Sequence, residues 1–341
     1  MSNHITRIGI DLAKNIFQVC AADDHGKIIF NKKLKRKDLA SFIANIPACE
    51  VILESCASSN YWAQVFTEYG HTVKLINPAY VRPFVKTNKN DSADAEAICE
   101  AASRPTMRFV QPKTPPQQDI QLLHRVRSRL VSKRTSLSNQ IRGLLAEYGI
   151  VIPEGIRNVR KRLPEILEDA ENNLSMIARS VFHQQYEELA DTDQRVNSLT
   201  KQITEISNTQ EQCQRFKTVF GIGPMVSTAL FATMGSPEHY KNGREFAAFL
   251  GLVPRQYSSG GKSQLMGISK RGDGQVRSLL VQGAQAALSR MHKRDDSLSR
   301  WACRIKERRG HNIAAVALAN KLARICWAMA STNTEFQLKT T

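Results

Sequence analysis

Three short apolar runs near the start of the chain constrain its fold most. They cover residues 6–12, 16–21 and 27–33, and turn residues such as Asp23 and Gly26 separate them. Runs of this length that are rich in Ile, Val and Phe predict an antiparallel meander of three strands. An amphipathic helix is expected next, over residues 35–46.

The following segment alternates between strand and helix. Residues 51–53 predict a short buried strand that leads into Glu54, and either Ser58 or Ser59 is suited to cap the next helix. Residues 73–76 predict a further buried strand. A meander followed by alternating helices and strands predicts an α/β domain with a mixed sheet.

A third helix is predicted to open with two aspartates. Asn88 or Asn90 can cap it, and Asp91 and Asp94 lie three residues apart, so both carboxylates project from one face. Such like charges repel unless a cation lies between them, and oxygen-only ligands favour Mg²⁺ or Mn²⁺. A plainer interpretation is an acidic first turn that complements the helix dipole.

Two more carboxylates end predicted strands. Asp11 ends the first strand and Glu54 ends the fourth, and in a mixed sheet of this order those ends could be neighbours. With Asp91 and Asp94 they would form a four-acid site of the kind that holds two metal ions at a phosphodiester. The alternative is that Asp11 and Glu54 are strand-end acids with unrelated roles, although an acid directly after Ile10 is awkward in a buried strand.

Long helices are predicted after a Pro- and Gln-rich linker at residues 105–116. Helical periodicity covers 119–148 and 178–216, and the two helices could form an antiparallel coiled-coil arm or join a dimer interface. The first helix carries no acid between its arginines and lysines, which favours contact with a nucleic-acid backbone over a solvated charged face. These cations are Arg125, Arg127, Arg129, Lys133, Arg134 and Arg142.

The C-terminal third is predicted to be mainly helical, with one long polar loop. Residues 255–274 are basic and rich in Gly and Ser, and a loop this long in a compact domain is usually functional or disordered. The predicted domains are therefore an α/β domain at 1–110, a helical arm at 111–215 and a mainly α domain at 216–335.

The formal net charge of the chain is +17. An excess of this size indicates a polyanionic partner, usually nucleic acid or an anionic membrane face. The N-terminus lacks the apolar segment of a signal peptide, and no apolar run is expected to be long enough to cross a bilayer, the nearest being residues 313–319. These features predict no membrane partner and a cytoplasmic location. The 7 cysteines lack metal-binding or disulfide spacing, which predicts reduced thiols.

The motifs in combination resemble one known family. The chain is similar to the DEDD transposases of insertion sequences, namely the family numbered one-ten and most closely its eleven-eleven subgroup. The resemblance covers roughly residues 5 to 330. It is carried by Ile8-Gly9-Ile10-Asp11, Leu53-Glu54-Ser55, Asn90 to Ala95, Phe220 to Pro224, Phe246 to Pro254, Ser258 to Lys262 and Ile268 to Asp273.

The resemblance implies a fold, a chemistry and partners. It implies an RNase H/RuvC-like N-terminal domain whose Asp11, Glu54, Asp91 and Asp94 bind Mg²⁺. It also implies a serine of the C-terminal domain, best matched by Ser259, that forms a covalent phosphoserine link to DNA. The partners that it implies are donor and target DNA, a structured noncoding guide RNA, and further copies of the chain in a homo-oligomer (a dimer or a tetramer). Cys56 and the serines after it depart from the small residues that are more usual there.

The residues around Ser259 are compatible with this role. Gly260 and Gly261 would let a DNA backbone approach closely. A serine hydroxyl needs activation, which a nearby metal could supply, and neighbouring cations could stabilise a crowded phosphorane. Ser269 is the rival nucleophile, and a serine in a flexible basic loop with no chemistry is the plainer interpretation. The cations are Arg255, Lys262, Lys270 and Arg271.

Two other functions compete with a serine-dependent recombinase. One is a RuvC-like junction nuclease, in which water attacks the DNA and the serine is structural. The other is a noncatalytic nucleic-acid-binding scaffold whose acids only support the fold.

The charge excess makes a testable prediction about binding. We expect the logarithm of the nucleic-acid affinity to fall steeply and linearly with the logarithm of salt concentration, by about 0.9 for each phosphate contacted. A filter-binding or anisotropy titration across low to moderate salt measures this slope. A flat slope would contradict an electrostatic interface.

Overall fold

The computed structural model describes residues 4–85 and 90–337. It divides the chain into two compact units, Met1–Thr114 and Pro115–Thr341. The finer three-part division of the chain at residues 110 and 215 stays a prediction.

The N-terminal unit is built on a six-stranded mixed sheet in the order β3-β2-β1-β4-β5-β6. Strands β1 to β3 form the predicted antiparallel meander, β4 and β5 run parallel to β1, and β6 is antiparallel to β5. The mixed sheet expected from the sequence is therefore confirmed. The elements in chain order are β1 (Arg7–Asp11), β2 (Ile16–Ala22), β3 (Ile28–Lys35), α1 (Arg36–Ala44), β4 (Glu50–Glu54), α2 (Ser59–Glu68), β5 (Thr72–Ile76), α3 (Pro78–Val81), α4 (Asp91–Ala102) and β6 (Phe109–Val110).

The predicted linker at residues 105–116 is partly structured. It contains β6, which pairs with the end of β5. The Lys113 backbone is also held by α2, since its N–H donates to Asn60 Oδ1 at 2.9 Å and its carbonyl accepts from Gln64 Nε2 at 3.1 Å. Because these backbone groups have partners in the sheet and in α2, residues 105–114 belong to the N-terminal unit, and the last two residues of the predicted linker begin α5.

The two faces of the sheet pack against different helices. Ile8 and Ile10 are fully buried in a core that also contains residues of α1 and α2. Successive strand residues point to opposite faces, so Gly9 and Asp11 lie on the other face, which α4 covers. In β4, Ile52 packs against Ala97 and Ile98 of α4. Glu54 therefore lies on the α4 face as well.

Helix α4 lies very close to β1 because Gly9 has no side chain. A Cβ atom at this position would be 2.8 Å from the carbonyl oxygen of Ala95 and 2.8 Å from Cys99 Sγ. The backbone of α4 blocks one side of that space and cannot move aside as a flexible side chain could. Gly9 thus sets the distance between the helix and the sheet.

The C-terminal unit is mainly helical. Helices α5 and α7 run antiparallel, as the contacts Arg127–Thr200 and Arg134–Asp193 show. The coiled-coil packing expected of them stays a prediction. The elements are α5 (Pro115–Ala146), α6 (Ile156–Glu168), α7 (Met176–Thr209), α8 (Glu211–Lys217), α9 (Pro224–Met234), α10 (Gly243–Phe249), β7 (Pro254–Ser259), β8 (Lys262–Ile268), α11 (Gly274–Leu288), α12 (Ser297–Arg309) and α13 (His311–Thr332).

Helix α13 corrects one expectation from the sequence. Among the described residues it is the one helix long and apolar enough, by length and composition, to cross a membrane. The sequence expectation stopped at residue 319, whereas the apolar pattern continues past Lys321 and Arg324. Leu318, Leu322 and Cys326 are fully buried in the core of the C-terminal unit. Core packing therefore accounts for the apolar face of α13.

The contact at Gly9 predicts the effect of one methyl group. Gly9→Ala should destabilise the N-terminal unit by about 1–3 kcal/mol, the usual cost of overpacking. Hydrogen exchange followed by mass spectrometry should show lost protection in both β1 and α4.

Gly143→Ala is the matched control. Nothing lies within 4 Å of a Cβ at Gly143 in α5, so alanine should stabilise that helix by about 0.5–1 kcal/mol. Unchanged protection of α4 in Gly9→Ala would show that the close approach does not exist.

Candidate active site

Asp11 and Glu54 occupy the carboxyl ends of two adjacent parallel strands. In the β1–β4 register Ile10 pairs with Leu53, so Asp11 and Glu54 are the next residues on neighbouring strands. Both are half-buried, and both lie on the face that α4 covers. The strand-end arrangement predicted from the sequence is therefore present.

The thiol of Cys56 lies near both carboxylates, and both affect its pKa. Burial first, and then the charges of Glu54 and Asp11, raise the pKa of the Cys56 thiol to about 11. The thiol donates to the carbonyl oxygens of Leu12 and Ala57, with the sulfur 3.7 Å and 3.5 Å away. Both carboxylates end neighbouring strands and both raise the pKa of this thiol, so we call them the acidic corner.

Asp91 and Asp94 lie in the first turn of α4. Asn90 caps the helix, its Oδ1 accepting from the N–H groups of Ser92 at 2.8 Å and Ala93 at 3.1 Å. Asn88, the other predicted cap, lies outside the described residues. The Asp91 carboxylate is 62% exposed and pairs with Lys33 of β3 at 3.8 Å. Asp94, three residues later in the same turn, is half-buried.

The four acids do not form a completed metal site in this structure. Within residues 4–85 and 90–337, no group of three or more His, Cys, Asp or Glu side chains is placed to hold a metal ion. The convergence of all four carboxylates that was expected from the sequence is therefore not seen. Asp91 instead pairs with Lys33 of β3.

The chemistry of the donors nevertheless fits a hard divalent cation. Asp11, Glu54 and Asp94 offer only carboxylate oxygens, which Mg²⁺ and Mn²⁺ prefer. In addition, the side-chain oxygen Oε1 of Gln18 is buried on the same face and has no hydrogen-bond partner within the described residues. An oxygen-rich corner with an unsatisfied acceptor suits a hydrated metal ion.

Ser259 lies at the tip of a β-hairpin, where the sequence predicted a long loop. Strands β7 and β8 pair antiparallel, and Ser259 faces Lys262 across the turn. Gly260 and Gly261 have φ angles of +56° and +78°, the left-handed conformation that a tight two-residue hairpin turn requires. Ser259 and the nearby cations Arg255 and Lys262 are exposed.

Ser269 has a different environment. Its N–H donates to Val253 O at 2.8 Å, and its hydroxyl oxygen accepts from the Arg271 N–H at 3.4 Å. It is half-buried and leads into a turn in which Lys270 has a φ of +54°. The hydroxyl of Ser269 thus contributes to turn geometry, whereas Ser259 is presented to solvent.

Most of the predicted cations of α5 have partners inside the unit. Arg134 pairs with Asp193 at 3.0 Å and Lys133 with Glu188 at 2.8 Å. Arg127 donates to Thr200 Oγ1 at 2.7 Å, and Arg142 donates to Ile152 O at 3.1 Å. Helix α7 therefore supplies the acids that α5 lacks between Arg125 and Arg142. Arg125 and Arg129 are exposed.

Sequence comparison decides the family. Residues 8–150 match the DEDD transposase of IS110 type, and residues 213–300 match the transposase IS116/IS110/IS902 family. The transposase for insertion sequence element IS1111A of Coxiella burnetii is 42% identical over 94% of this chain and 88% of its own length. The chain belongs to the DEDD transposase family of insertion sequences.

Other relatives extend over the same length. A probable family 20 transposase of Pseudomonas aeruginosa is 44% identical over 97% of this chain and 98% of its own length. The transposase for insertion sequence element IS1328 of Yersinia enterocolitica is 43% identical over 98% of this chain and 99% of its own length. The expectations of this family and of an enzyme are thus confirmed. DEDD transposases generally depend on divalent metal ions.

Sequence reasoning missed the polar side chains that surround the acidic corner of the transposase. Gln18 lies on β2, and Asn31 and Lys33 lie on β3. Asn31 and Lys33 contact α4 directly, and Gln18 is hydrogen-bonded to Asn31. Gln18 gives the clearest signal in the sequence, because it interrupts the otherwise apolar run Ile16 to Ala22. The other two residues belong to a polar strand that offers no such contrast.

The environment of Cys56 can be tested by alkylation. The double variant Asp11→Asn/Glu54→Gln removes two charges that raise the pKa of Cys56, so its thiolate fraction near pH 9 should increase. Iodoacetamide should then label Cys56 severalfold faster than in the parent chain, as measured by peptide mass spectrometry with EDTA present.

Cys49 is the internal control for this experiment. Burial and the charge of Glu50 raise its pKa to about 11 as well, and neither substituted residue contributes to that shift. Its labelling rate should not change. Equal acceleration of both cysteines would indicate general unfolding, and no acceleration of Cys56 would refute the shared corner.

Proposed function

We propose that this transposase cuts and rejoins DNA strands with metal-bound carboxylates of its N-terminal unit and a serine nucleophile of its C-terminal unit. The observation that carries the proposal is the pair Asp11 and Glu54 at the carboxyl ends of adjacent parallel strands. The sheet order, with three antiparallel strands followed by parallel β4 and β5, supports an RNase H/RuvC-like fold for this unit.

Asp11, Glu54, Asp91 and Asp94 are the proposed ligands of Mg²⁺ or Mn²⁺. A bound divalent ion would supply Lewis-acid stabilisation of charge on the scissile phosphate. The chain contributes the oxygen donors, and it holds α4 against β1 through the contact at Gly9. Lys33 would release Asp91 to such an ion, because a divalent cation offers the carboxylate a stronger partner than an exposed ammonium group.

Ser259 is the proposed nucleophile. Its Oγ would form a bond to the scissile phosphorus while a bond from phosphorus to a deoxyribose oxygen breaks, and the hydroxyl proton would pass to a base or to solvent. The resulting phosphoserine ester can be attacked by another DNA hydroxyl, which rejoins the strand. Exposure at a hairpin tip beside Lys262 supports this choice over the half-buried Ser269.

The partners of the transposase are also part of the proposal. We propose DNA as the substrate because the relatives are named as transposases for insertion sequence elements. From the family resemblance and the sequence we also propose a structured noncoding guide RNA, a homo-oligomer, a cytoplasmic location and a coiled-coil arm. Of the cations proposed to contact nucleic acid, the best placed are the exposed arginines and lysines without an ion pair among the described residues, namely Arg125, Arg129, Arg255, Lys262, Lys270 and Arg271.

A covalent adduct tests the serine directly. A labelled DNA duplex that carries an end of the insertion sequence encoding this transposase should yield a detergent-resistant complex with the protein. Ser259→Ala should reduce the adduct by about 10³-fold or more, the scale of losing a nucleophile. The complex would be measured by denaturing electrophoresis.

Ser269→Ala serves as the matched control and should retain the adduct. Loss of the adduct in Ser269→Ala but not in Ser259→Ala would show that Ser269, and not Ser259, is the nucleophile. Cleaved DNA ends without any adduct would instead favour the hydrolytic nuclease. Full recombination by Asp11→Ala/Asp94→Ala would refute metal-dependent catalysis at this site.

A further inference from the structure

Gln18 is a buried polar residue directly opposite Asp11. In the antiparallel pair of β1 and β2, Asp11 is the partner of Gln18, and the Cβ atoms of such pairs lie about 4.5–5.5 Å apart. Gln18 is only 5% exposed. Since Phe17 and Val19 pack into the core on the other face, Gln18 lies on the α4 face together with Asp11.

The hydrogen-bond partners of Asn31 determine how Gln18 is oriented. Asn31 Nδ2 lies 3.1 Å from the carbonyl oxygen of Ser92 and 2.9 Å from the Glu96 carboxylate. Both of these oxygens can only accept, so Asn31 must turn its NH₂ group toward α4. Its Oδ1 then faces β2 and must accept a hydrogen bond from there.

Gln18 supplies that hydrogen bond with its own NH₂ group. The amide orientation of Gln18 is therefore fixed by chemistry, because the flipped form would set two oxygens against each other. Its Oε1 is left on the opposite side of the amide. This oxygen is buried and has no hydrogen-bond partner within the described residues.

A buried acceptor without a partner lowers stability, and native proteins rarely retain one without compensation. Here the unsatisfied oxygen lies on the face that carries Asp11 and Glu54. If those carboxylates held a hydrated divalent cation, two groups could reach Gln18. One is the ion itself, and the other is an O–H donor of one of its water ligands. Either one would satisfy Gln18 Oε1.

We propose that Gln18 is an additional oxygen ligand of the divalent metal site, either directly or through a metal-bound water. This proposal rests on the metal site proposed above. Gln18 would also couple the site to α4, because its NH₂ group is connected through Asn31 to Ser92, next to Asp91. The ligand class is a hard divalent cation, Mg²⁺ or Mn²⁺.

The test measures metal binding without any DNA. Chelator-treated full-length protein is titrated with Mn²⁺, and the EPR signal of the free hydrated ion gives the affinity. Gln18→Met keeps the length of the side chain but removes its oxygen, and should weaken Mn²⁺ binding by about tenfold, as losses around metal sites typically do. Gln18→Glu should strengthen it, since a carboxylate replaces a neutral oxygen.

Thermal melting of the same variants adds a second readout. Gln18→Glu places a third carboxylate beside Asp11 and Glu54, so without metal it should melt below the parent chain. Saturating Mn²⁺ should then raise its melting temperature more than that of the parent chain. This recovery would show that the side chain at position 18 reaches the ion, and the Mn²⁺ affinity of Gln18→Met then tests the native amide oxygen.

Cys20→Ala is the matched control. Cys20 is the next residue of β2 on the same face, it is fully buried, and it pairs with Gly9 instead of Asp11. This variant should lower the melting temperature but leave the Mn²⁺ affinity unchanged.

The outcomes separate the two proposals. If the parent chain binds Mn²⁺ no better than Asp11→Asn does, the metal site itself is refuted. If Asp11→Asn loses binding while Gln18→Met binds like the parent chain, only the role of Gln18 is refuted. A loss of affinity in Cys20→Ala equal to that in Gln18→Met would also overturn it, because general disruption of the face would then explain both.

Discussion

The close packing of α4 on β1 at Gly9 is the constraint on which the candidate site depends. The missing Cβ lets the backbone of Ala95 approach the strand, so the first turn of α4 lies over the sheet on the face that carries Asp11 and Glu54. Any larger residue would push the helix outward, and Asp91 and Asp94 with it. A single glycine therefore sets how closely α4 can pack on the sheet, and Asn31 also holds α4 through Ser92 and Glu96.

The sequence could predict much of the N-terminal unit because its pattern is local. Short apolar runs bounded by turn residues predicted the strands, and the meander followed by alternating elements predicted the mixed sheet. Asp11 and Glu54 could be placed together because parallel neighbours end at the same edge of a sheet. The ion pair between Asp91 and Lys33 could not be predicted, because it depends on how α4 crosses β3. The unsatisfied oxygen of Gln18 likewise emerges only when the partners of Asn31 are known.

The C-terminal unit shows where local reasoning fails. The absence of acids between Arg125 and Arg142 suggested a free basic surface, yet α7 brings Glu188 and Asp193 against it from more than fifty residues away. The polar segment around Ser259 predicts a loop, because its exposed strands lack the apolar alternation of a half-buried sheet. Two consecutive glycines at the turn were the available signal for a hairpin.

Metal-directed cleavage of the polypeptide would test most directly whether the carboxylates of both strands and of α4 hold one ion. Fe²⁺ can replace Mg²⁺ at an oxygen-donor site, and with ascorbate and peroxide it cuts the backbone beside the bound metal. The account predicts cuts near residues 11, 54 and 91–94, all suppressed by excess Mg²⁺. Cuts near residues 11 and 54 with none in the first turn of α4, or cuts that Mg²⁺ does not suppress, would contradict it.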